Sequence, residues 1–454
     1  MTINETGDTM KIYNTYTNQL EPFKPIHAAT VNMYICGPTV YNYIHIGNAR
    51  PVIFFDVVRR YFEYQGYTVN FVSNFTDVDD RIITKALEEQ TNEIEIANRF
   101  IEAFYQDVER VGSTTQYLAP RVTNYMNSII QYIETLIDKG YAYTIDGDVY
   151  FRVTKIKEYG QLSGRKIDDL IQGSRVNVNT KKENPLDFTL WKKTEVGINY
   201  PSPWGHGRPG WHTECVAMIK DIFGGPIDIH GGGTDLMFPH HENEIAQSRA
   251  TDDHRIANYW MHNGRLNIDD RKMSKSEGEV ILVKDLDMDY MGFRLYTLST
   301  HYRSPINYTD EVLISYVNEW DRIKRTYTQA FYKLDLAEYL DSTPQEYDDI
   351  NTVYQDFMHA MDEDFNTANA ITELQNIVKI TNQKVREKDA LDPLLASLNA
   401  FTAFLQILGL RPGISRMTKA DRNIYQEWTH ARKNKEFEKA DRMREKLTAR
   451  GILA

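Results

Sequence analysis

Residues 31–66 decide the fold: VNMYICGPTVYNYIHIGNARPVIFFDVVRRYFEYQG. Val31–Cys36 is mostly apolar and predicts a short strand, which Gly37-Pro38 ends. Pro51–Gln65 predicts a helix that Gly66 stops. Apolar side chains recur there at helical spacing, at Val52, Phe55, Val58 and Phe62.

A second strand follows this helix. Tyr67–Ser73 alternates apolar and polar residues, and the acidic residues of Thr76–Asp80 predict the first turn of a further helix. A strand, a helix and a strand at this spacing form a βαβ unit, which implies a parallel sheet. We therefore predict an α/β fold.

The composition is that of a globular protein of about three domains. The 454 residues carry a net charge of -12 at pH 7, which excludes an overall basic surface for nucleic acid but not local basic patches. No apolar run reaches the roughly 18 residues of a membrane helix, and the polar N-terminal residues do not resemble a secretory signal. Two cysteines cannot form a disulfide framework, so we expect a cytoplasmic protein without a membrane partner.

Two short segments have the residues needed to bind a nucleoside triphosphate. His45-Ile46-Gly47-Asn48 lies between the first strand and the first helix, where an imidazole and the helix N-terminus attract phosphate. The lysines of Lys272-Met273-Ser274-Lys275-Ser276 can neutralise charge that develops as pyrophosphate leaves. A glycine-rich turn, Gly231-Gly232-Gly233 with Asp235, can cradle the adenosine. Each segment alone is also consistent with an ordinary loop.

Four residues form a plausible tetrahedral zinc set: Cys36, Cys215, His240 and Glu244. On a helix that begins after Pro239, positions 240 and 244 share one face, whereas His241 and Glu242 point elsewhere. Thiolate ligands favour zinc over magnesium or calcium. Spacing alone leaves open the alternative that the two cysteines are ordinary buried residues.

The two nucleotide-binding segments, in this order, resemble the signatures of class I aminoacyl-tRNA synthetases. Together with the Cys and His positions they closely resemble the cysteinyl-tRNA synthetase family. The matching segments run through almost the whole chain, at Ile35–Tyr41, His45–Arg50, Asn74–Asp80, Pro209–Cys215, Gly231–Gln247, Lys272–Ser276, His301–Asn307 and Asp364–Thr367. One departure is Asn48, which stands where the first signature usually ends in His.

The resemblance implies ATP-dependent activation of L-cysteine, with Mg²⁺ accompanying ATP, and transfer of cysteine to a cysteine-specific tRNA. We also expect the protein to be a monomer. It implies one zinc ion per chain, held by Cys36, Cys215, His240 and Glu244. It also implies that Thr76 and Trp211 line the amino-acid pocket, and that Lys275 contacts ATP.

The resemblance further implies a Rossmann-type catalytic domain interrupted by a connective peptide and followed by a mainly helical anticodon-binding region. The expected boundaries are 1–9 for a loose extension, 10–119 and 206–265 for the catalytic halves, 120–205 for the insertion, 266–310 for the lysine loop and stem-contact region, 311–415 for the helical domain and 416–454 for a small tRNA-binding segment.

The last predicted helix, residues 431–450, is locally basic in an acidic chain. This segment contains eight Lys and Arg residues and four Asp and Glu residues, which gives it a net charge of 8 − 4 = +4. This favours contact with tRNA, the alternative being a solvated helix packed by Phe437, Met443 and Leu447. Two other functions stay open: a zinc-dependent cysteine ligase acting on a small amine, and a non-catalytic RNA-binding relic.

Overall fold

The computed structural model describes residues 10–166, 181–252, 255–268 and 280–453, together with the backbone of 271 and 272. The chain forms two compact units. The first comprises the residues up to Leu286 together with Tyr302–Asn307, and the second comprises Asp287–His301 and the residues from Tyr308 onward. The finer domain boundaries expected from the sequence remain predictions, and the extension at 1–9 lies outside the described residues.

The strands, in chain order, are β1 (Lys11–Asn14), β2 (Gln19–Pro22), β3 (Thr30–Ile35), β4 (Thr68–Ser73), β5 (Ala142–Ile145), β6 (Asp148–Phe151), β7 (Phe188–Lys193), β8 (Gly207–Pro209), β9 (Ile227–Gly233), β10 (Ala257–Asn263), β11 (Leu266–Ile268), β12 (Arg271–Lys272) and β13 (Ile306–Tyr308). The helices are α1 (Ile46–Tyr64), α2 (Asp80–Glu88), α3 (Glu93–Arg110), α4 (Met126–Asp138), α5 (Trp211–Phe223), α6 (Glu242–Asp252), α7 (Tyr290–Leu298), α8 (Asp310–Leu336), α9 (Asp348–Asp362), α10 (Thr367–Arg386), α11 (Leu391–Leu408), α12 (Lys419–Lys433) and α13 (Phe437–Thr448). Short helical turns lie at Val122–Tyr125, Val153–Lys155, Met237–His241 and Val283–Asp285.

The first unit is built on a four-stranded sheet in the order β10-β9-β3-β4, whose strands are all parallel. The predicted parallel sheet is therefore confirmed. Ligands of open parallel sheets bind in the crevice at the carboxyl ends of the strands. That edge is where Cys36 follows β3 and where the glycines end β9.

Helix α1 begins five residues earlier than the sequence predicts. His45 caps it: its Nδ1 accepts from the Asn48 N–H at 3.2 Å, and Asn48 Oδ1 accepts from the His45 N–H at 3.3 Å. This reciprocal capping box stabilises the first turn, so Pro51 lies inside the helix. The predicted stop is where expected, because Gly66 has a φ of +92° just after the C-cap.

Two other local predictions were wrong. The turn expected to open a helix at Thr76 is extended, and α2 begins only at Asp80, with Asp79 as its N-cap. Gly231–Gly233 are not a turn but the end of β9. A Cβ on Gly231 would lie 2.4 Å from the Phe55 ring, so the strand needs glycine to approach α1.

An antiparallel sheet in the order β5-β6-β7-β8 is inserted between β4 and β9. Its last strand, β8, lies beyond the expected insertion boundary at 205 and pairs with β7. Its buried side chains, among them Phe151, Leu190 and Trp191, pack with those of α4 and α5 in one hydrophobic core. The insertion is therefore packed firmly on the parallel-sheet part of the first unit.

The second unit is helical, as predicted. Of the described helices, α11 is long and apolar enough to cross a membrane by length and composition, with a mean hydropathy of 1.4, and 61% of it is buried within the protein. Such burial is typical of the core helix of a globular domain.

The single helix predicted over 431–450 was wrong, because α12 ends at Lys433 and α13 begins at Phe437. Lys435 adopts a left-handed φ of +59°, and the Glu436 N–H bonds back to the Ala431 carbonyl at 2.8 Å, which closes the end of α12. Phe437 is 69% exposed, whereas Leu447 is fully buried. The alternative prediction, that apolar residues pack this segment against the protein, is therefore confirmed for Leu447 and wrong for Phe437.

Arg50 joins α1 to the loops beside the crevice, and its removal should destabilise the first unit. Its fully buried guanidinium donates to the carbonyls of Gly264, Arg265 and Ser304 at 2.7, 2.9 and 2.7 Å. Arg50→Met leaves these carbonyls without that donor, so we expect a loss of about 3 kcal/mol in the free energy of unfolding. Urea unfolding followed by tryptophan fluorescence measures it.

Lys220→Met is the control for Arg50→Met, because Lys220 pairs with Asp252 at the surface. It should cost less than about 1 kcal/mol. Equal losses in both variants would contradict the role given to Arg50.

Candidate active site

Four potential metal ligands meet at the carboxyl end of the sheet. The Sγ atoms of Cys36 and Cys215 are 3.5 Å apart. His240 Nε2 lies 3.7 Å from Cys215 Sγ and 2.8 Å from Glu244 Oε1. All four donor atoms lie within 4.8 Å of one another. The structure therefore brings together the four residues that the sequence predicts as ligands, although they come from three distant parts of the chain.

The charges of this cluster are mutually dependent because Cys215, His240 and Glu244 are buried and Cys36 is half-buried beside them. The hydrogen bond from Cys36 lowers the pKa of Cys215 to about 6, and burial raises the pKa of Cys36 well above its ordinary value. Burial alone would lower the pKa of His240, but the facing Glu244 and Cys215 outweigh it and raise the pKa to about 10. A positive charge is thus favoured between Cys215 and Glu244.

This arrangement fits a divalent metal ion. Ligand atoms around tetrahedral zinc are about 3.3–3.8 Å apart, given zinc bonds of about 2.0–2.3 Å. The sulfur contacts of the cluster, at 3.5 and 3.7 Å, lie in that range, and the contact between His240 and Glu244, at 2.8 Å, is shorter. Two soft sulfur donors, an imidazole and a carboxylate form a donor set that suits zinc.

The expectation that His241 points away from the cluster was wrong. Its Nε2 lies 3.3 Å from Cys36 Sγ, and it belongs to a second possible ligand set, Cys36, His230, His241 and Glu244. The chain bends just before α6, where Phe238 has an extended backbone with φ −139° and ψ 131°, and both imidazoles that follow this bend are buried. Regular helical geometry would have separated them.

Three further histidines surround the cluster, and the sequence analysis missed them. His230 donates to Glu244 Oε2 at 2.5 Å, His262 Nε2 lies 2.8 Å from His241 Nδ1, and His212 Nδ1 lies 3.0 Å from His240 Nδ1. Burial lowers the pKa of His212 and of His262 to about 3, so both rings are neutral and can accept. Histidines at the carboxyl ends of two apolar strands were the available signal for His230 and His262.

A cavity of about 360 Å³ opens beside the cluster. Several predicted residues line it, namely Cys36, His45, Gly47, Asn48, Trp211, Gly232, Gly233 and Asp235. Trp211, at the start of α5, stacks on His240 with ring centroids 4.3 Å apart, so this indole covers His240 while Cys36 faces the cavity directly. The nucleotide-binding and amino-acid-binding predictions therefore fall on neighbouring surfaces.

Other predicted residues lie behind the cavity surface. Ile46 is fully buried in the core, and Gly231 is packed against Phe55. Thr76 is buried and donates its hydroxyl to Glu214 Oε2 at 2.8 Å. Glu214, another residue that the sequence analysis missed, has its pKa raised by burial and then by Cys215. Thr76 thus holds a buried carboxyl group beside the cluster.

The two nucleotide signatures differ in how much of them the structure describes. Since His45 Nδ1 accepts from the Asn48 N–H, the neutral ring carries its proton on Nε2 and can donate it to phosphate. Lys272 is in β12 by its backbone, and Met273, Ser274, Lys275 and Ser276 lie outside the described residues.

Two family models match the chain. The class I (C) tRNA synthetase catalytic domain matches residues 22–318, and the DALR domain matches residues 356–411. Among solved structures, methionyl-tRNA synthetase of Mycobacterium tuberculosis in complex with methionyl-adenylate aligns with a TM-score of 0.61 over 85% of this chain and 92% of that chain. At 13% identity this likeness shows a common fold.

Curated relatives match over nearly the whole length. The cysteine–tRNA ligase of Staphylococcus carnosus is 47% identical over 450 residues, which cover 97% of both chains. That of Anoxybacillus flavithermus is 46% identical over 451 residues, covering 98% of this chain and 97% of the relative. The chain therefore belongs to the cysteine–tRNA ligase family of class I tRNA synthetases.

Proposed function

We propose that this protein activates L-cysteine with ATP and transfers it to the terminal adenosine of a cysteine-specific tRNA. The observation that carries the proposal is the cluster of two thiols, an imidazole and a carboxylate, of which one thiol, Cys36, lines the cavity. A family of ligases that must distinguish cysteine from serine needs a site that responds to sulfur. Membership of the cysteine–tRNA ligase family supports the same activity.

The proposed metal ligands are Cys36, Cys215, His240 and Glu244, and the proposed metal is zinc, one per chain. This set has two sulfur donors, whereas the alternative set with His230 and His241 has one. Zinc would supply a preference for sulfur over oxygen, while an apolar pocket discriminates such small differences by only about 1–3 kcal/mol. Trp211, stacked on His240, would form the wall between the amino acid and the nucleotide.

The residues of the cavity would bind ATP and meet the charge of its phosphates. His45 Nε2 and the N-terminus of α1 would bind phosphate oxygens, and Asn48 would supply an amide beside them. Lys272 and Lys275 would neutralise the departing pyrophosphate, with Mg²⁺ bound to the phosphates of ATP. Attack by the cysteine carboxylate on the α-phosphate then needs positioning and charge stabilisation rather than a protein nucleophile.

Lys275→Ala should slow cysteinyl-adenylate formation about a hundredfold, with little change in cysteine binding. Its ammonium meets charge that develops mainly in the transition state, and one such contact is worth about 3 kcal/mol. Cysteine-dependent ATP–pyrophosphate exchange and single-turnover adenylation measure the effect. An unchanged rate would contradict the proposed role of the loop.

The same assays decide between the remaining functions. Wild-type exchange without transfer of cysteine to tRNA would favour the ligase acting on a small amine, and absence of exchange would favour the RNA-binding relic. Transfer of radiolabelled cysteine to tRNA is the expected result, since the DALR match and the helical second unit are parts that a small-amine ligase does not need.

His240→Ala should lose zinc, whereas His241→Ala should retain most of it. Outer residues around a metal typically change its affinity tenfold to a hundredfold, less than the loss of a ligand. Elemental analysis of the purified proteins, with the wild type expected to contain about one zinc per chain, measures both. If His241→Ala lost more zinc than His240→Ala, the ligand set with His230 and His241 would be favoured. A fully active wild-type protein without zinc would contradict the metal proposal.

We propose that the basic segment around the α12–α13 junction contacts tRNA phosphates. Lys433 and Lys435 are exposed there, whereas Lys439 lies 3.7 Å from Glu436. Replacing Lys433 and Lys435 by Gln should weaken tRNA binding and reduce the slope of log K against log salt by about 1.5, because fewer counterions are released. ATP–pyrophosphate exchange should not change.

Replacement of Lys379 and Lys388 by Gln provides the matched control, since both are exposed lysines of the same helical unit. Their loss should leave the salt slope of tRNA binding near the wild-type value. If the salt slope of tRNA binding were the same in both double variants, the phosphate contacts would lie elsewhere on the protein. The monomeric state and the cytoplasmic location expected from the sequence remain predictions.

A further inference from the structure

Helix α6 has a second side that the proposed reaction does not use. Its first turn carries Glu244 toward the cluster, and His240 lies just before it. The intervening residues Glu242 and Asn243 turn the other way and are 1% and 2% exposed. There they meet residues Glu158–Ser163 of the inserted domain, which we call the strap.

The strap binds the first turn of α6 through three hydrogen bonds. Ser163 donates from its backbone N–H and from Oγ to Glu242 Oε2, at 2.9 and 2.8 Å. Tyr159 donates its hydroxyl to Asn243 Oδ1 at 2.6 Å. Burial raises the pKa of Tyr159, so the hydroxyl stays protonated and remains a donor.

The strap also follows α6 two turns further. Glu158 pairs with Arg249 at 2.8 Å, and Arg249 donates to the Tyr16 hydroxyl at 2.5 Å. That hydroxyl donates in turn to Gln161 Oε1 at 2.5 Å. Contacts at both ends of the helix fix its rotation about its own axis as well as its position.

The position of the strap bears on the candidate metal-ligand cluster because Glu242 and Asn243, which bind the strap, lie between His240 and Glu244 in the chain. Consecutive helical residues are only about 1.5 Å apart along the axis, so Asn243 cannot shift without Glu244. Hydrogen bonds of buried groups are stronger and more orienting than those in water. A displaced strap would therefore move His240 and Glu244 relative to the two cysteines.

We propose that the strap is a positioning element through which the inserted domain sets the affinity of the site for cysteine, with Glu242 and Asn243 as positioning residues. This inference rests on the proposed function of the cluster. It predicts that substitutions in the strap change the binding of cysteine but leave the binding of ATP unchanged.

The test compares Tyr159→Phe and Ser163→Ala with Ser163→Thr, which keeps the hydroxyl. Tyr143→Phe is the matched control: Tyr143 belongs to the same insertion, is 7% exposed like Tyr159, and donates to the buried Asp187 at 2.9 Å. Two quantities are measured in each folded protein. They are the rate of zinc release to a chelator, followed with a zinc-sensitive dye, and the KM values for cysteine and for ATP in pyrophosphate exchange.

We expect Tyr159→Phe and Ser163→Ala to release zinc about tenfold faster and to raise KM for cysteine, with KM for ATP unchanged. Ser163→Thr should restore both values, and Tyr143→Phe should match the wild type. Equal effects of Tyr159→Phe and Tyr143→Phe, or wild-type values in Tyr159→Phe, would overturn the proposal. If the wild type held no zinc, the metal proposal would fail, and the two KM values would still decide about the strap.

Discussion

The active-site crevice depends on the compensation of charge in one buried cluster. Glu244 is fully buried, and the facing His230 and His240 outweigh its burial and hold its pKa well below the ordinary value. A carboxylate in such surroundings is costly unless cations or donors face it. His230 and His240 meet this requirement, and the positive charge favoured on His240 also faces Cys215.

The parallel sheet provides the place where such a cluster can form. Each βα connection brings a segment from a different part of the chain to the same edge, so Cys36 and Glu244, separated by 208 residues, meet at 3.6 Å. Glycines at the end of β9 allow α1 and the cluster to approach the strand closely. In the proposed function, the backbone of this edge supplies the nucleotide-binding surface, and its side chains supply the sulfur-selective one.

Helix α6, which carries Glu244, also contacts residues beyond the parallel sheet. The inserted antiparallel sheet is packed against α4 and α5, and the strap binds Glu242 and Asn243, which lie between two of the candidate ligands in the chain. An insertion with its own antiparallel sheet is thereby connected to the geometry of the site. Although the chain has a net charge of -12, Lys433 and Lys435 are exposed at the α12–α13 junction, and they form the local positive patch proposed to contact RNA.

The sequence by itself determined the parallel sheet, the helical second part, the two nucleotide signatures and the four candidate ligands, because apolar periodicity and rare residue types are local properties. It misplaced the start of α1, since the cap at His45 and Asn48 outweighs the helix-ending tendency of Pro51. Only the tertiary structure decided that His241 faces Cys36, that His230 and His262 support the cluster, and that Thr76 binds Glu214. These depend on the bend of the chain at Phe238 and on strand ends brought together by the sheet, and no spacing along the chain encodes which buried polar groups will meet.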